Sequence, residues 1–120
     1  MRDADQKSVR QIVVEAKTLI AKARAGRLVP SEFTGGTFTI SNLGMYGIEQ
    51  FTAIINPPEA ALLAVGATTP RIVVHQGAVS VRQCSTVALG IDYRAVDGAT
   101  GARFLEPPVN LLHDSLRILA

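Results

Sequence analysis

Apolar residues along the chain follow two periods, and each period predicts a kind of element. Residues 6–25 carry apolar side chains at helical spacing. We expect Asp3 or Asp5 to cap the start of this helix and Gly26 to end it. The apolar face, which is expected to pack on a sheet, consists of Val9, Ile12, Val13, Ala16, Leu19, Ile20 and Ala23.

Alternation with a period of two predicts strands further along the chain. It covers residues 37–41, where three hydroxyl side chains share one face, and residues 86–92. Residues 51–55 form a shorter apolar run that ends at Asn56-Pro57-Pro58, because proline cannot donate to a ladder. Residues 26–36 read as a connector between the first helix and the first strand.

The middle of the chain contains a predicted hairpin. Residues 72–75 and 79–83 are its strands, and its turn lies near Gln76-Gly77. Residues 59–66 are rich in Ala and Leu, so their composition allows a helix, whereas their brevity and flanking Pro and Gly allow a buried strand. The sequence leaves these two alternatives open.

A helix is predicted to begin directly after the last strand. Asp97 is placed to cap it, and Gly98 is small enough to lie against another backbone. The run Leu105-Glu106-Pro107-Pro108 is expected to interrupt this helix, because consecutive prolines remove two donors. A second short helix would then cover residues 109–119.

Composition indicates one domain over residues 1–120 with an aliphatic core. Hydrophobic residues make up 48% of the chain, whereas aromatic residues make up 5% and Trp is absent. The order of elements, together with a resemblance to a known family, predicts an α/β (α+β) fold, a mixed sheet flanked by helices.

Charge and cysteine content exclude several classes of function. The net charge of +2 with scattered basic residues does not indicate nucleic-acid binding. Cys84 is the single cysteine, so no internal disulfide or cysteine metal cluster is expected, and a reducing, cytoplasmic location is favoured. No apolar run approaches the roughly 20 residues that cross a bilayer, and the polar N-terminus does not resemble a signal peptide.

Candidate chemistry concentrates in two loops. Residues 92–98 place two acids and Arg94 between a strand and a helix, although loops often carry charge and an acid before a helix is often only a cap. We expect Arg94 to pair with Asp92 or Asp97. Residues 42–48 contain two glycines three positions apart, which would let a ligand or a neighbouring chain approach the backbone. His75 and His113 are expected at the surface without a role.

Several segments together resemble one family, the catalytic domain of the dihydrolipoamide acyltransferases of 2-oxoacid dehydrogenase complexes, which has a chloramphenicol acetyltransferase-like fold. The segments are Arg2-Asp3-Ala4-Asp5, Gly35 to Gly44, Ala53 to Pro58, Ala64-Val65-Gly66, Asp92-Tyr93-Arg94 and Val96 to Ala99. They extend over nearly the whole chain in the order of the family. The chain resembles the C-terminal half of the family's domain, and the family's last helix continues where this sequence has Pro107-Pro108.

The resemblance implies transfer of an acyl group between a dihydrolipoyl thiol and coenzyme A, both substrates, with no tightly bound cofactor and no metal. Ser41 matches the residue that donates to the oxyanion, and Asp97 matches the residue that orders the loop. Asn42, Gly44 and Arg94 are the corresponding candidates for binding substrate or coenzyme A. In the family, the two catalytic elements meet across a subunit boundary in a trimer, so a homo-oligomer is expected.

Tyr93 departs from the family, which has a histidine there as the general base. A thiol with a pKa near 8.5 needs a base that is free at pH 7, and a phenol with a pKa near 10 is about one part in a thousand ionised. Tyr93 therefore occupies the position of the general base, but too little of its phenol is ionised at pH 7 to accept the thiol proton. We expect low or no activity.

Three functions remain open from the sequence. The first is an acyltransferase domain of low or no activity. The second is an inactive structural paralogue that forms an oligomeric core and associates with itself, with a full-length acyltransferase or with other components of a 2-oxoacid dehydrogenase complex. The third is an unrelated small-ligand module that uses the loop from Gly44 to Gly47.

Overall fold

The computed structural model describes residues 1–114, which fall into two compact units. The first comprises Met1–Gly36 and the described residues from Asn110 onward, and the second comprises Thr37–Val109. Within residues 1–114 the elements are three α-helices and five strands in two sheets. The predicted α/β fold class is confirmed.

The first unit contains α1 (Val9–Arg24) and α2 (Pro30–Phe33). Ser8 caps α1: its side-chain oxygen accepts from the backbone N–H of Gln11 at 3.4 Å, and its own backbone N–H donates to Oε1 of Gln11 at 2.8 Å. The prediction of Asp3 or Asp5 as the cap was wrong, because this reciprocal Ser-x-x-Gln box satisfies two helix-terminal donors and starts α1 later. Asp5 lies in a separate 3-10 turn.

Gly26 ends α1 as predicted. Its φ of +64° lies in the left-handed region, its N–H donates to the carbonyl of Ala23 at 3.1 Å, and the N–H of Arg27 donates to the carbonyl of Lys22 at 2.9 Å. This pair of bonds satisfies the last carbonyls of the helix, and glycine adopts the required conformation without a steric penalty.

The connector over residues 26–36 contains α2, which the sequence analysis missed. Pro30 occupies its first turn, and a carboxylate oxygen of Glu32 accepts from the N–H of Val29 at 3.0 Å. Glu32 also forms an ion pair with Lys22, which lowers the pKa of its carboxyl group. Arg2 donates to the carbonyls of Ser31 at 3.1 Å and Thr34 at 2.8 Å.

The second unit contains all five strands. They are β1 (Thr39–Asn42), β2 (Ala61–Val65), β3 (Thr69–His75), β4 (Ala78–Cys84) and β5 (Val87–Ile91). The first sheet has the order β1-β2-β5, with β1 parallel and β5 antiparallel to β2. Of the two alternatives for residues 59–66, the structure has the strand, because β2 lies at the centre of this sheet, and the buried side chains Leu62 and Ala64 belong to it.

Strands β3 and β4 form the predicted hairpin. Gln76 at φ 51° and Gly77 at φ 80° make a tight two-residue turn of the type that suits hairpins. Ile72 pairs with Val81 and Val74 pairs with Val79, so these four side chains share one face. They are 69–77% exposed.

Two strand predictions change in the structure. Residues 51–55 do not join a ladder, so the predicted strand there was wrong: β2 already has a partner on both sides, and the run lines a cavity instead. The predicted strand over residues 37–41 begins two residues later. In it Ile40 is 65% exposed, whereas Thr39 and Ser41 are half-buried, so the hydroxyl face is the inner one.

Helix α3 (Gly98–His113) runs through Pro107 and Pro108 without a break. The predicted interruption was wrong. The fixed φ of proline is close to the helical value, so the two prolines lose hydrogen bonds while the backbone continues as a helix. Gly101 is buried, and a β-carbon on it would lie 3.0 Å from Cδ1 of Ile91, so α3 packs closely on β5. The part of the predicted second helix beyond residue 114 lies outside the described residues.

Candidate functional site

Residues 92–97 form a closed loop between β5 and α3. The N–H of Asp92 donates to the carbonyl of Ala60 at 2.8 Å, which holds the loop at the end of the first sheet. The carbonyl of Asp92 then accepts from the N–H groups of Ala95 and Val96, both at 2.9 Å. The backbone therefore reverses over Tyr93 and Arg94, whose side chains stand on the outside of the loop.

Asp92 and Arg94 form a two-point ion pair. Nη2 of Arg94 lies 2.6 Å from Oδ2 of Asp92 and Nε lies 3.0 Å from Oδ1, while the backbone N–H of Arg94 also donates to Oδ1 at 3.0 Å. The Arg94 side chain lowers the pKa of Asp92 to about 2, and its backbone N–H adds to the effect. Of the two partners expected for Arg94, the structure selects Asp92.

Asp97 caps α3 as predicted. Its Oδ1 accepts from the backbone N–H of Thr100 at 2.7 Å, and its Oδ2 accepts from the Thr100 hydroxyl at 3.2 Å. The backbone bond, followed by the hydroxyl bond, lowers the pKa of the Asp97 carboxyl group. Asp97 therefore fixes the junction between the loop and the helix.

Tyr93 projects from this loop and is 76% exposed. A β-carbon built on Gly98 would lie 2.9 Å from the phenol oxygen, so the hydroxyl rests on the first residue of α3. The expectation that Gly98 lies against another backbone was wrong, because the loop turns the Tyr93 side chain onto it. Beside it, a cavity of about 310 Å³ is lined by Leu89, Ile91, Tyr93, Gly98, Gly101, Ala102 and Leu105.

Ser41, Asn42 and Gly44 lie at the end of β1. Ser41 is half-buried and pairs with Ala64. Oδ1 of Asn42 accepts from the N–H of Gly44 at 2.9 Å and so turns the chain after the strand. A β-carbon on Gly44 would lie 3.0 Å from the carbonyl oxygen of Gly66, so its small size permits close packing of backbone on backbone.

One chain does not bring Ser41 and the 92–97 loop together. Ser41 on β1 lies opposite Ala64 of β2. Asp92, directly after β5, lies opposite Ala60, directly before β2, so β2 separates the two residues. Four residue steps of about 3.3 Å and two strand spacings of about 4.8 Å separate their α-carbons by about 16 Å. Tyr93 follows one residue further on.

A second cavity, of about 540 Å³, borders the loop and was missed by the sequence analysis. Its charged lining comes from Asp92, Arg94 and Glu59, and one carboxylate oxygen of Glu59 is buried without a hydrogen-bond partner. Its other walls come largely from Thr52 to Ile55 and Pro57-Pro58. The sequence signal for this cavity is Asn56-Pro57-Pro58-Glu59, because these residues end the apolar run 51–55 before it can pair as a strand.

The described residues hold neither a metal-binding cluster nor a membrane-spanning helix. Within residues 1–114 no three His, Cys, Asp or Glu side chains are grouped so that they could hold a metal ion. Among the helices of that same part of the chain, none has the length and apolar character needed to cross a membrane.

The chain is similar to curated acetyltransferases. It is 50% identical over 105 residues to the dihydrolipoyllysine-residue acetyltransferase component of the pyruvate dehydrogenase complex of Rickettsia bellii, a match that covers 88% of the chain and 25% of the relative. It is 45% identical to the Zymomonas mobilis component, over 100% of the chain and 27% of that relative. The chain thus spans about a quarter of the length of these relatives.

Solved structures agree with this similarity. A dihydrolipoamide acetyltransferase from Azotobacter vinelandii superposes with a TM-score of 0.92 at 39% identity, over 100% of the chain and 49% of that structure. A cubic core of the pyruvate dehydrogenase multienzyme complex gives 0.92 at 38% identity over the same shares. The model of the 2-oxoacid dehydrogenase acyltransferase catalytic domain matches residues 1–120. The chain therefore belongs to the family of 2-oxoacid dehydrogenase acyltransferase catalytic domains.

Proposed function

We propose that this chain is a dihydrolipoamide acyltransferase-type domain whose own site lacks the general base. Its reaction is the exchange of an acyl group between a dihydrolipoyl thiol and coenzyme A within a 2-oxoacid dehydrogenase complex. The observation that carries the proposal is that the 92–97 loop is intact, with its ion pair and its helix cap, while Tyr93 stands where the family has histidine.

Residue spacing supports the assignment of Ser41, Tyr93 and Asp97. The Azotobacter vinelandii work investigated a serine, a histidine and an asparagine for their role in the catalytic mechanism, and these are spaced by 52 and 4 residues. Ser41, Tyr93 and Asp97 have the same spacing. In this chain tyrosine takes the place of the histidine and aspartate that of the asparagine.

The chemistry explains why the tyrosine matters. A base removes the thiol proton, the thiolate sulfur attacks the thioester carbonyl of acyl-coenzyme A, and the carbonyl electron pair moves to the oxygen. Collapse of this intermediate breaks the bond to the coenzyme A sulfur, which leaves and takes a proton. Loss of a base costs about 10² to 10⁴ in rate, or about 2.7 to 5.5 kcal/mol of barrier, whereas Ser41 can still donate to the oxyanion.

The separation of Ser41 from the loop supports a site shared between two copies. A reacting carbonyl group that accepts from Ser41 is out of reach of residue 93 in the same chain. The exposed apolar face of the hairpin, formed by Ile72, Val74, Val79 and Val81, offers surface for association. We propose a homo-oligomer built from trimers, which light scattering on the purified chain would measure.

The test is acyl transfer from acetyl-coenzyme A to free dihydrolipoamide by the chain and by its Tyr93→His variant at matched concentration. A gain of a hundredfold or more is expected, because imidazole is largely free at pH 7. Tyr93→Phe is the matched control, since it also removes the phenol but adds no base, and it should show no gain. If neither Tyr93→His nor the native chain turns over, the acyltransferase proposal fails.

The second candidate is a structural subunit of an oligomeric core without turnover. The replacement at Tyr93 and the exposed apolar side chains of the second unit favour it. It predicts stable oligomers together with an inactive Tyr93→His variant. The same assay and the light-scattering measurement therefore separate the two functions.

A further inference from the structure

Ser41 lies near the end of a short strand that is paired on one side. Strand β1 is four residues long, and within residues 1–114 its only partner is β2. The N–H of Leu43 extends this ladder by one bond, to the carbonyl of Val65 at 3.2 Å. An oxyanion donor acts over a narrow range of distances, so the position of the Ser41 hydroxyl depends on what fixes this end of the strand.

Gly44 is the residue at which the chain leaves β1 and contacts a buried backbone. A β-carbon on Gly44 would lie 3.0 Å from the carbonyl oxygen of Gly66 and 3.1 Å from the α-carbon of Ala67, and both of these residues are buried. It would also lie 3.1 Å from Oδ1 of Asn42, which accepts from the N–H of Gly44. Gly44 is therefore enclosed between the end of β2 and the turn that follows β1.

Gly66 is itself held in place by several contacts. Its N–H donates to the carbonyl of Thr86 at 2.9 Å, and its carbonyl accepts from the hydroxyl of Ser85 at 2.9 Å. A β-carbon on Gly66 would lie 1.9 Å from the carbonyl oxygen of Glu49, so the backbone is close on that side as well. A larger side chain at residue 44 would therefore displace the chain around Gly44 rather than Gly66.

From these contacts we propose that Gly44 is a positioning residue for Ser41. Its close packing on Gly66 fixes the end of β1 against β2 and so places the Ser41 hydroxyl for donation to the oxyanion. This inference rests on the proposed function, in which Ser41 is that donor. It differs from the role that the family resemblance implies for Gly44, which is binding of substrate or coenzyme A.

The kinetic test is Gly44→Ala in the Tyr93→His background. Alanine shifts the end of β1 by a few tenths of an ångström, because its β-carbon is too close to Gly66 and Ala67. We expect kcat for acyl transfer to fall by about tenfold, since a misplacement of about 1 Å can cost about 10² in rate. The KM for acetyl-coenzyme A should stay within about twofold. A raised KM with unchanged kcat would assign Gly44 to ligand binding and overturn the inference.

A double-mutant cycle tests whether Gly44 acts through Ser41. When Ser41→Ala is already present in the Tyr93→His background, Gly44→Ala should lower kcat by less than about twofold further, because the donor that it positions is gone. A further fall of about tenfold would show that Gly44 acts independently of Ser41, and the inference would be wrong.

Gly77→Ala in the Tyr93→His background is the matched control. Gly77 lies in the hairpin turn of the other sheet at a φ of +80°, so alanine there destabilises the fold through backbone conformation alone. At a temperature where the variant stays folded, its kcat should equal that of the parent. An equal fall for Gly44→Ala and Gly77→Ala would mean that lost stability explains both.

Amide hydrogen exchange of the chain with its native Tyr93 gives a readout that needs no turnover. Gly44→Ala should speed exchange over residues 39–46 by about tenfold or more, because the hydrogen bonds of the Leu43 and Gly44 N–H groups are strained. Gly77→Ala should change exchange in the hairpin only. Unchanged exchange over residues 39–46 would overturn the inference. If Tyr93→His does not turn over, the proposed function fails, and exchange alone decides whether Gly44 holds the end of β1.

Discussion

The phenol oxygen of Tyr93 lies over Gly98, at 2.9 Å from the position that a β-carbon on residue 98 would take. The neighbouring atom is the far end of an exposed side chain, which can rotate into solvent. Gly66 presents the opposite case, because a β-carbon there would lie 1.9 Å from the carbonyl oxygen of Glu49, which belongs to the backbone. The two glycines are thus close to their neighbours for different reasons.

Alanine at these two glycines should therefore have unequal effects. Gly98→Ala should lower the free energy of unfolding by less than about 1 kcal/mol, because Tyr93 can move away and alanine suits a helix. Gly66→Ala should lower it by about 3 kcal/mol, because the loop through Glu49 must be displaced. Urea unfolding followed by circular dichroism measures both, and equal losses would show that the Tyr93 side chain is fixed.

Asp97 should stabilise α3 through its hydrogen bonds to Thr100. Asp97→Ala removes the acceptor, and we expect the midpoint of thermal unfolding to fall by about 5 °C. Asp97→Asn keeps a side-chain oxygen that can accept the capping hydrogen bond, so its midpoint of thermal unfolding should fall much less. If asparagine destabilised the protein as much as alanine, the carboxylate charge would be the important feature.

The Asp92–Arg94 pair predicts a loss of stability in acid. Arg94 lowers the pKa of Asp92 from 3.8 to about 2, so the folded state binds this proton less readily than the unfolded state. The pair therefore stabilises the fold above about pH 4, and its contribution is lost as the pH falls toward 2. Arg94→Gln should lower stability at pH 7 and flatten the dependence between pH 4 and pH 2, as measured by urea unfolding at each pH.

If the stability of Arg94→Gln depended on pH between pH 4 and pH 2 as strongly as that of the native chain, this prediction would be wrong. Glu32→Gln provides the control, because Lys22 lowers the pKa of Glu32 in the first unit and this pair is independent of the loop. The pH dependence of the stability of the Glu32→Gln variant should change. The same substitution added to the Tyr93→His variant should leave the rate of acyl transfer unchanged.

Sequence reasoning identified the strand–loop–helix unit from Val87 to Gly98 because local signals agree there. The alternation of β5 ends at a charge, and Asp97 has the type and position of a helix cap, so each residue indicates the same break. The hairpin turn at Gln76-Gly77 was equally local. Both are confirmed in the structure.

The wrong predictions concern segments whose conformation depends on residues that are distant in the sequence. Residues 51–55 have the composition of a strand, but β2 is paired on both sides by β1 and β5. The prediction that α3 breaks at Pro107-Pro108 rested on the two donors that the prolines remove, whereas packing of Gly101 on Ile91 holds the helix in place. Likewise, the residues of the catalytic position came from the family resemblance, but the choice of Asp92 over Asp97 by Arg94 required the structure.

Pro107 gives a test of how α3 tolerates two prolines. Pro107→Ala restores a donor within the helix, and alanine has a much better helix propensity. The gain is reduced because proline also restricts the unfolded chain, so we expect the free energy of unfolding to rise by about 2 kcal/mol. Urea unfolding measures the change, and a loss of stability would show that the Pro107 ring makes packing contacts that outweigh the missing hydrogen bond.

Ser41 should show its role once a base is present. In the Tyr93→His variant, Ser41→Ala removes the donor to the oxyanion, and the rate of acyl transfer should fall by about 10² to 10³, with a much smaller change in KM. The fall is expected in kcat because the hydrogen bond strengthens as negative charge develops on the carbonyl oxygen. Ser31→Ala in the same background is the matched control. A Ser41→Ala rate within threefold of the parent would assign the oxyanion to another donor, and the half-buried hydroxyl of Ser41 would then serve only the strand.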